Sequence, residues 1–478
     1  MKLMSLFDGS GGFPLAASLC GIEPVYASEV EPYPIAVTKS RFPNMKHLGD
    51  VSRIKGAEIE PVDIITFGSP CQDMSVAGKR AGLKHTAVGD EETTRSGLFM
   101  EAIRIIKEMR VKTNGIYPRF AVWENVPGAF SSNRGEDFRL VLEEFIKITE
   151  PNAVMPAVPQ AGWAYADCIS GYGWSIAYRV FDAQYWGVPQ RRRRIYLVAD
   201  FRGECAQEIL FKRESLRGYF EAGRMPWQGI AADAQNCVGT DDCIPINTML
   251  ANRHKQLGRG TGFGIGEPGD KQFTISAAHC HAVCIPVLDD RAGESELVLD
   301  DQGGQQISVR TDGKSPTLRA EAHGNVPCII NKKTLVYDTK FIQEDIEATL
   351  KASGGTYGGG SENLVAEQSF SPIRYIVRRL TPTECARLQG FPDWWGEIPK
   401  KDNFTDDEYV FWLNARNTYA KINNKTTKEY SKEQMLSWYN KLHSDSSEYK
   451  MWGNGIALPN ALYVMQGIAE VVGVHHSK

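Results

Sequence analysis

A cysteine, a glutamate and a run of arginines have the settings in this chain that suggest covalent chemistry. Cys71 follows a proline in GSPCQDMS, on the loop leaving the apolar run DIITFG, with polar Gln72 and Ser75 after it. A structural cysteine more often sits within a helix face or a strand. A thiol on a loop beyond a strand is placed to act as a nucleophile, and its thiolate form needs positive neighbours. QRRRR at 190–194 supplies that charge; a solvated basic loop is the plainer alternative. Glu124 closes the run RFAVWEN, where a carboxylate can deliver a proton or simply cap the next helix. DGSGGF puts Gly9, Gly11 and Gly12 where a strand gives way to a helix, and Glu29 lies 20 residues after Gly9. An acidic residue at that distance suits ribose hydroxyls, although the glycines lack GxGxxG spacing and also fit ordinary turns.

These residues need a scaffold that brings loop ends together. Apolar and β-branched runs predict strands at 2–8, 24–28, 63–68, 119–125, 175–182 and 194–199. Between them, Leu98, Ala102, Ile105, Ile106 and Met109 fall on one face of a helix. Strands alternating with helices predict an α/β domain with a mostly parallel sheet, whose ligands sit beyond the strands' carboxyl ends. Every residue singled out above lies next to the end of a predicted strand.

Length and composition bound the rest. The chain has 478 residues, 42% of them hydrophobic and 23% charged, enough for at least one full core and unlike a disordered or disulfide-stapled protein. No signal sequence or membrane span is expected, and the ten cysteines without CxxC pairs suit a reducing, cytoplasmic setting. Net charge is 0 over 1–200, −6 over 201–370 and +2 over 371–478. Nucleic-acid binding would therefore rest on local basic patches. The α/β rhythm stops near Phe201, and three segments, 271–285, 314–329 and 346–365, loosely repeat a Thr followed by Leu or Ile. Three hairpins of one irregular sheet explain them more simply than three similar functional loops. His279, Cys280, His281 and Cys284, with Cys237 and Cys243, match no usual zinc spacing, so no metal is expected. Thr381 and Glu384 predict a capping box, residues 401–450 carry no functional signal, and 458–473 reads as an amphipathic helix closing a core.

DGSGGF, GSPCQDMS, WENV, QRRRR, TPTECARLQGFP and MWGNGIALP stand in the order found in DNA (cytosine-5) methyltransferases. The chain resembles the bacterial and phage members of that family over nearly its whole length. The resemblance implies a Rossmann-like S-adenosylmethionine-dependent methyltransferase domain at 1–200 and a smaller, irregular β-rich target recognition domain at 201–375. The end of the recognition domain and a polar insertion come next at 376–453, and a C-terminal helix at 454–478 packs back on the catalytic domain. It implies Cys71 as nucleophile, Glu124 on the cytosine ring, and Arg192 and Arg194 on the base carbonyl and nearby polar or phosphate groups. Phe7, Gly9, Gly11, Gly12, Glu29, Asp50, Pro70, Leu98 and Asn454 would line S-adenosylmethionine. Gln72, Ser75, Thr317 and Leu318 would meet duplex DNA, and Thr349–Leu350 and Thr274–Ile275 are further candidate pairs in the recognition domain. Two departures bear on cofactor affinity: Val30 stands where an aromatic residue often packs on adenine, and Gly455 where a serine commonly follows the asparagine. The expected molecule is a monomer, with a cognate restriction endonuclease as a further partner the resemblance allows. A transfer RNA cytosine methyltransferase and a catalytically silent DNA-binding relative are the alternatives; the long recognition region argues against the first, and intact Cys71, Glu124 and arginines against the second.

Overall fold

The computed structural model describes residues 1–69, 97–155, 157–188, 190–211 and 373–473, together with five short strands between 244 and 330. The chain divides into two compact units, Met1–Ala231 with Cys385–Lys478, and Ala232–Glu384.

The first unit is built on an eight-stranded sheet. Its strands are β1 (Lys2–Leu6), β2 (Glu23–Ser28), β3 (Lys46–His47), β4 (Ile64–Phe67), β5 (Phe120–Asn125), β6 (Ala166–Gly171), β7 (Trp174–Asp182) and β8 (Arg193–Asp200). The order is β3-β2-β1-β4-β5-β8-β7-β6. Strands β1 to β5 pair in parallel, whereas β8 is antiparallel to β5 and to β7, and β6 is antiparallel to β7. This is the mostly parallel α/β sheet expected from the alternation of runs. Central strands such as FAVWEN are buried along their whole length, as a sheet covered on both faces requires. On one face, α3 (Gly97–Lys112) and α4 (Glu136–Ile146) set Ile105, Ile106, Phe138 and Phe145 against Leu6, Phe67, Trp123 and Leu197. On the other, α1 (Gly12–Leu19) packs against the C-terminal helix Leu458–Val472. The latter starts with a proline in its first turn and stops at Gly473 in the left-handed region.

Helices α2 (Pro32–Arg41), α5 (Ala206–Phe211) and α6 (Pro382–Leu388) precede a helical insertion made of α7 (Asp406–Ile422), α8 (Lys432–Tyr439) and α9 (Asp445–Asn454); the C-terminal helix is α10. The expected capping box opens α6, with the Thr381 amide donating to Glu384 at 2.7 Å and the Glu384 amide to the Thr381 hydroxyl at 3.2 Å. Thr405 with Glu408 and Ser431 with Gln434 form two more, which start α7 and α8. The boundaries differ from those expected at 200 and 375. Residues from Cys385 onward belong with the first unit, because Trp412, Met435 and Tyr439 bury their side chains against Ile35 and Ala36 of α2.

Among its described residues the second unit holds two three-stranded antiparallel sheets. One has the order β14-β10-β9, from Ile373–Arg379, His281–Leu288 and Ile244–Asn247; the other is β12-β11-β13, from Ile307–Arg310, Leu297–Asp301 and Cys328–Ile330. The segment 346–365, all three threonine pairs, and His279, Cys280, Cys237 and Cys243 lie outside the described residues.

Candidate active site at the carboxyl edge of the sheet

The turn after β1 is made by backbone that few residues adopt. Phe7 has φ 55° and Gly11 φ 77°, both left-handed. At Phe7 this costs about 1 kcal/mol, the kind of local strain found at functional turns. A Cβ on Gly11 would lie 2.7 Å from the Thr38 methyl, so the close packing of this turn against α2 also requires glycine. Gly12 opens α1. The Gly9 amide donates to Glu29 at 2.8 Å, joining the two elements that the spacing of 20 residues had linked. The other Glu29 oxygen accepts from the amides of Val30 at 2.7 Å and Glu31 at 2.8 Å. Burial raises the Glu29 pKa against the pull of these amides.

Asp8 was not singled out in the sequence, where it reads as the end of a strand. Its carboxyl is buried, and that burial pushes the pKa up to about 8 against the pull of the Ser5 hydroxyl, with Glu29 adding to the rise. Asp50 caps a short 3₁₀ turn, its carboxylate accepting from the Ser52 amide and hydroxyl at 3.0 and 2.9 Å. The Ser28 hydroxyl donates to the Gly49 carbonyl at 2.6 Å and ties this loop to the end of β2. Leu98 lies in the first turn of α3 and packs on the core, and Asn454 ends α9 in an exposed position.

Glu124 is buried at the end of β5. The antiparallel register of β8 sets Tyr196 opposite Glu124, so Arg194, two residues back on the same face, reaches the carboxylate with Nε 3.1 Å from Oε1. Burial beside Glu124 holds the Tyr196 phenol neutral, with its pKa well above the ordinary value. Arg192 points inward, 2% exposed, and its Nη2 donates to the carbonyl of Gly455. A Cβ on Gly455 would lie 2.8 Å from the Ser10 hydroxyl, which accounts for glycine at this position. Trp395 closes the same seam by donating from Nε1 to the Ser10 carbonyl at 2.8 Å.

The chain entering the cysteine loop is fixed next to these groups. Ser69 accepts from Trp123 Nε1 at 3.2 Å, and Asn125 Nδ2 donates to the Ser69 carbonyl at 3.4 Å. Gly68 is so close to Glu124 that a Cβ there would sit 3.1 Å from Oε2. Pro70, Cys71, Gln72 and Ser75 lie outside the described residues, as do Thr317 and Leu318. Asp8, Ser10, Ser69 and Trp395 are the additions that sequence reasoning missed. The contact of Ser10 with Trp395 joins residues 385 positions apart and leaves no periodic signal.

A mostly parallel sheet, a glycine turn bonded to an acidic loop, and a carboxylate paired with arginine define a Rossmann-like methyltransferase. The chain belongs to the C-5 cytosine-specific DNA methylase family, whose profile matches residues 1–149 and 295–411. It is similar to a protein of Escherichia phage P1 named DNA N-6-adenine-methyltransferase, 26% identical over 98% of this chain, and spans 61% of that relative's length. It is also similar to the type II methyltransferase M.NgoBV of Neisseria gonorrhoeae, 28% identical over 84% of this chain and 93% of the relative. Among solved structures, the S. pombe Dnmt2 methyltransferase aligns over 99% of both chains at 15% identity and a TM-score of 0.45. Among the described residues no single helix is long and apolar enough to cross a membrane.

Proposed function

We propose that the protein transfers a methyl group from S-adenosylmethionine to C5 of cytosine within a specific sequence of duplex DNA. The observation that carries this reading is the Arg194–Glu124 contact beside Gly68 and Ser69, the two residues that lead into the cysteine loop.

The cofactor pocket fits the donor chemically. Beside Gly9 the turn is open among the described residues, a Cβ there meeting only the Phe7 carbonyl at 3.9 Å, so backbone can approach a nucleoside closely, and the Glu29 turn suits ribose hydroxyls. Phe7, Gly9, Gly11, Gly12, Glu29, Asp50, Pro70, Leu98 and Asn454 would hold it. Bound there, S-adenosylmethionine supplies an electrophilic methyl group. Cytosine C5 is a weak nucleophile, so the Cys71 thiolate first adds to C6, breaking the C5=C6 π bond and making C5 electron-rich. Glu124 bonds to N3 and the exocyclic amine and offsets charge developing on the ring, while Arg194 orients Glu124 and faces the base carbonyl. After C5 is methylated, loss of the C5 proton restores the double bond and expels Cys71. The base must leave the duplex for the sulfur to reach C6. Arg192 keeps the Gly455 segment against the glycine turn. Gln72, Ser75, Thr317 and Leu318 would contact DNA, and the three threonine pairs would read more than one target.

The phage P1 relative's name supports a second reading, methylation of adenine N6. An exocyclic amine carries its own lone pair and needs no sulfur on the ring, so Cys71 would then be idle. Incubation with labelled donor and either duplex DNA or transfer RNA, with nucleoside analysis of the product, separates the readings. The expected product is 5-methylcytosine in DNA. N6-methyladenine, or label in transfer RNA alone, would overturn the proposal.

A further inference from the structure

The family profile ends at residue 411, so α8 and α9 lie wholly beyond it. These helices, with α7, grip α2 along its length. Lys39 lies over the Phe411 ring at 4.6 Å, and Tyr33 stacks on His443 with centroids 5.8 Å apart. The Tyr33 hydroxyl donates to the Gly396 carbonyl at 2.7 Å, and Arg41 Nη2 donates to the carbonyls of Trp395 and Glu397 at 3.1 and 2.7 Å. At the amino end of α2, Lys450 of α9 sits 2.9 Å from the Glu31 carboxylate and donates to the Tyr419 hydroxyl at 3.2 Å. Glu31 is the N-cap residue of α2, and its amide is one of the three that hold Glu29. Burial alone would lower the Lys450 pKa, but its contacts with Glu31 and Tyr419 together outweigh that and raise it.

We propose that Lys450 is a positioning residue: it holds Glu31, and through it the Glu29 turn, in the shape that receives the nucleoside of the cofactor. The insertion is then a clasp on the cofactor loop. Preorganising a binding loop strengthens binding by lowering the ordering cost. The inference rests on the methyltransferase reading for the identity of the ligand, but not for the clasp itself.

The test uses the full chain and two readouts. Hydrogen exchange at the amides of Val30, Glu31 and Tyr33 should quicken about fivefold in Lys450→Met, the loss expected for one half-buried ion pair. Lys450→Arg should restore protection to within about twofold of the parent. Calorimetry with S-adenosylhomocysteine should show a Kd about fivefold higher in Lys450→Met and in Glu31→Gln, with the double variant no worse than either. Lys432→Met, which removes the exposed pair with Asp406 elsewhere in the insertion, should leave both readouts unchanged. Unchanged exchange and Kd in Lys450→Met, or equal shifts in Lys432→Met, would overturn the proposal. If the parent protein binds no S-adenosylhomocysteine, the methyltransferase reading fails, while exchange at Val30, Glu31 and Tyr33 still decides whether the clasp exists.

Discussion

Strands β1 to β5 reach the functional edge of the sheet with their carboxyl ends, whereas β8 reaches it with its amino end. The parallel half therefore delivers segments that leave a strand: the Phe7–Gly12 turn, Glu29, Asp50 and Glu124. The reversed half delivers a segment that enters one, with the arginines at 192 and 194. One edge thus carries buried carboxylates on one side and guanidinium groups on the other. The difference between the halves is topological: the reversal of β8 places cationic groups at the end of β5, where a parallel strand would have put them at the opposite edge. A cation-bearing cofactor suits the acidic half, and a base that gains negative charge as it reacts suits the basic half.

Removing the junction of the two halves should have the largest effect. Glu124→Gln keeps the shape but loses the carboxylate, and kcat should fall about 10²- to 10³-fold with the fold retained by circular dichroism. Equal rates in the two proteins would break the comparison. The acidic half makes a prediction about pH. An Asp8 pKa raised from 3.8 to about 8 means that the folded chain keeps a proton the unfolded chain has released between those values. This contribution to stability is complete below about pH 4 and is lost as pH rises toward 8, with a slope of up to ~1.4 kcal/mol per pH unit. Urea titrations should show the slope reduced in Asp8→Asn; an unchanged slope would mean that Asp8 is solvated.

Two smaller effects sharpen the picture of the basic half and its seam. Arg192→Met leaves the Gly455 carbonyl without its charged donor and should cost about 2 kcal/mol in urea unfolding. A loss as small as that of an exposed arginine would contradict the inward role. Gly455→Ser should cost about 1 kcal/mol by pressing on the Ser10 hydroxyl, and Ser10→Gly should relieve it in the double variant. Additive losses would show that the two residues do not touch.

Much of the catalytic unit was legible in the sequence, for physical reasons. The run at 119–125 became Phe120–Asn125 and that at 194–199 became Arg193–Asp200, because buried central strands must be apolar on both faces. The bond from Gly9 to Glu29 reflects the length of one βαβ turn. Strand β3 has two residues, too few for a pattern, and β6 is an exposed edge strand, so burial left no mark on ADCISG. The helices of 406–454 hid their role because their buried face is sparse: Trp412 is the one fully buried side chain described in α7. Asp8 was illegible because nothing in the order SLFDGS says that its carboxyl is turned away from water.

The most direct measurement uses duplex DNA in which the target cytosine carries fluorine at C5. Fluorine cannot leave as the proton does, so a sulfur adduct at C6 persists and migrates with the protein on a denaturing gel. The parent chain should form this complex only when S-adenosylmethionine is present, and Cys71→Ser should form none. A Cys71→Ser variant that traps the DNA, or methylates ordinary DNA at the parental rate, would contradict covalent catalysis at the edge where Glu124 meets Arg194.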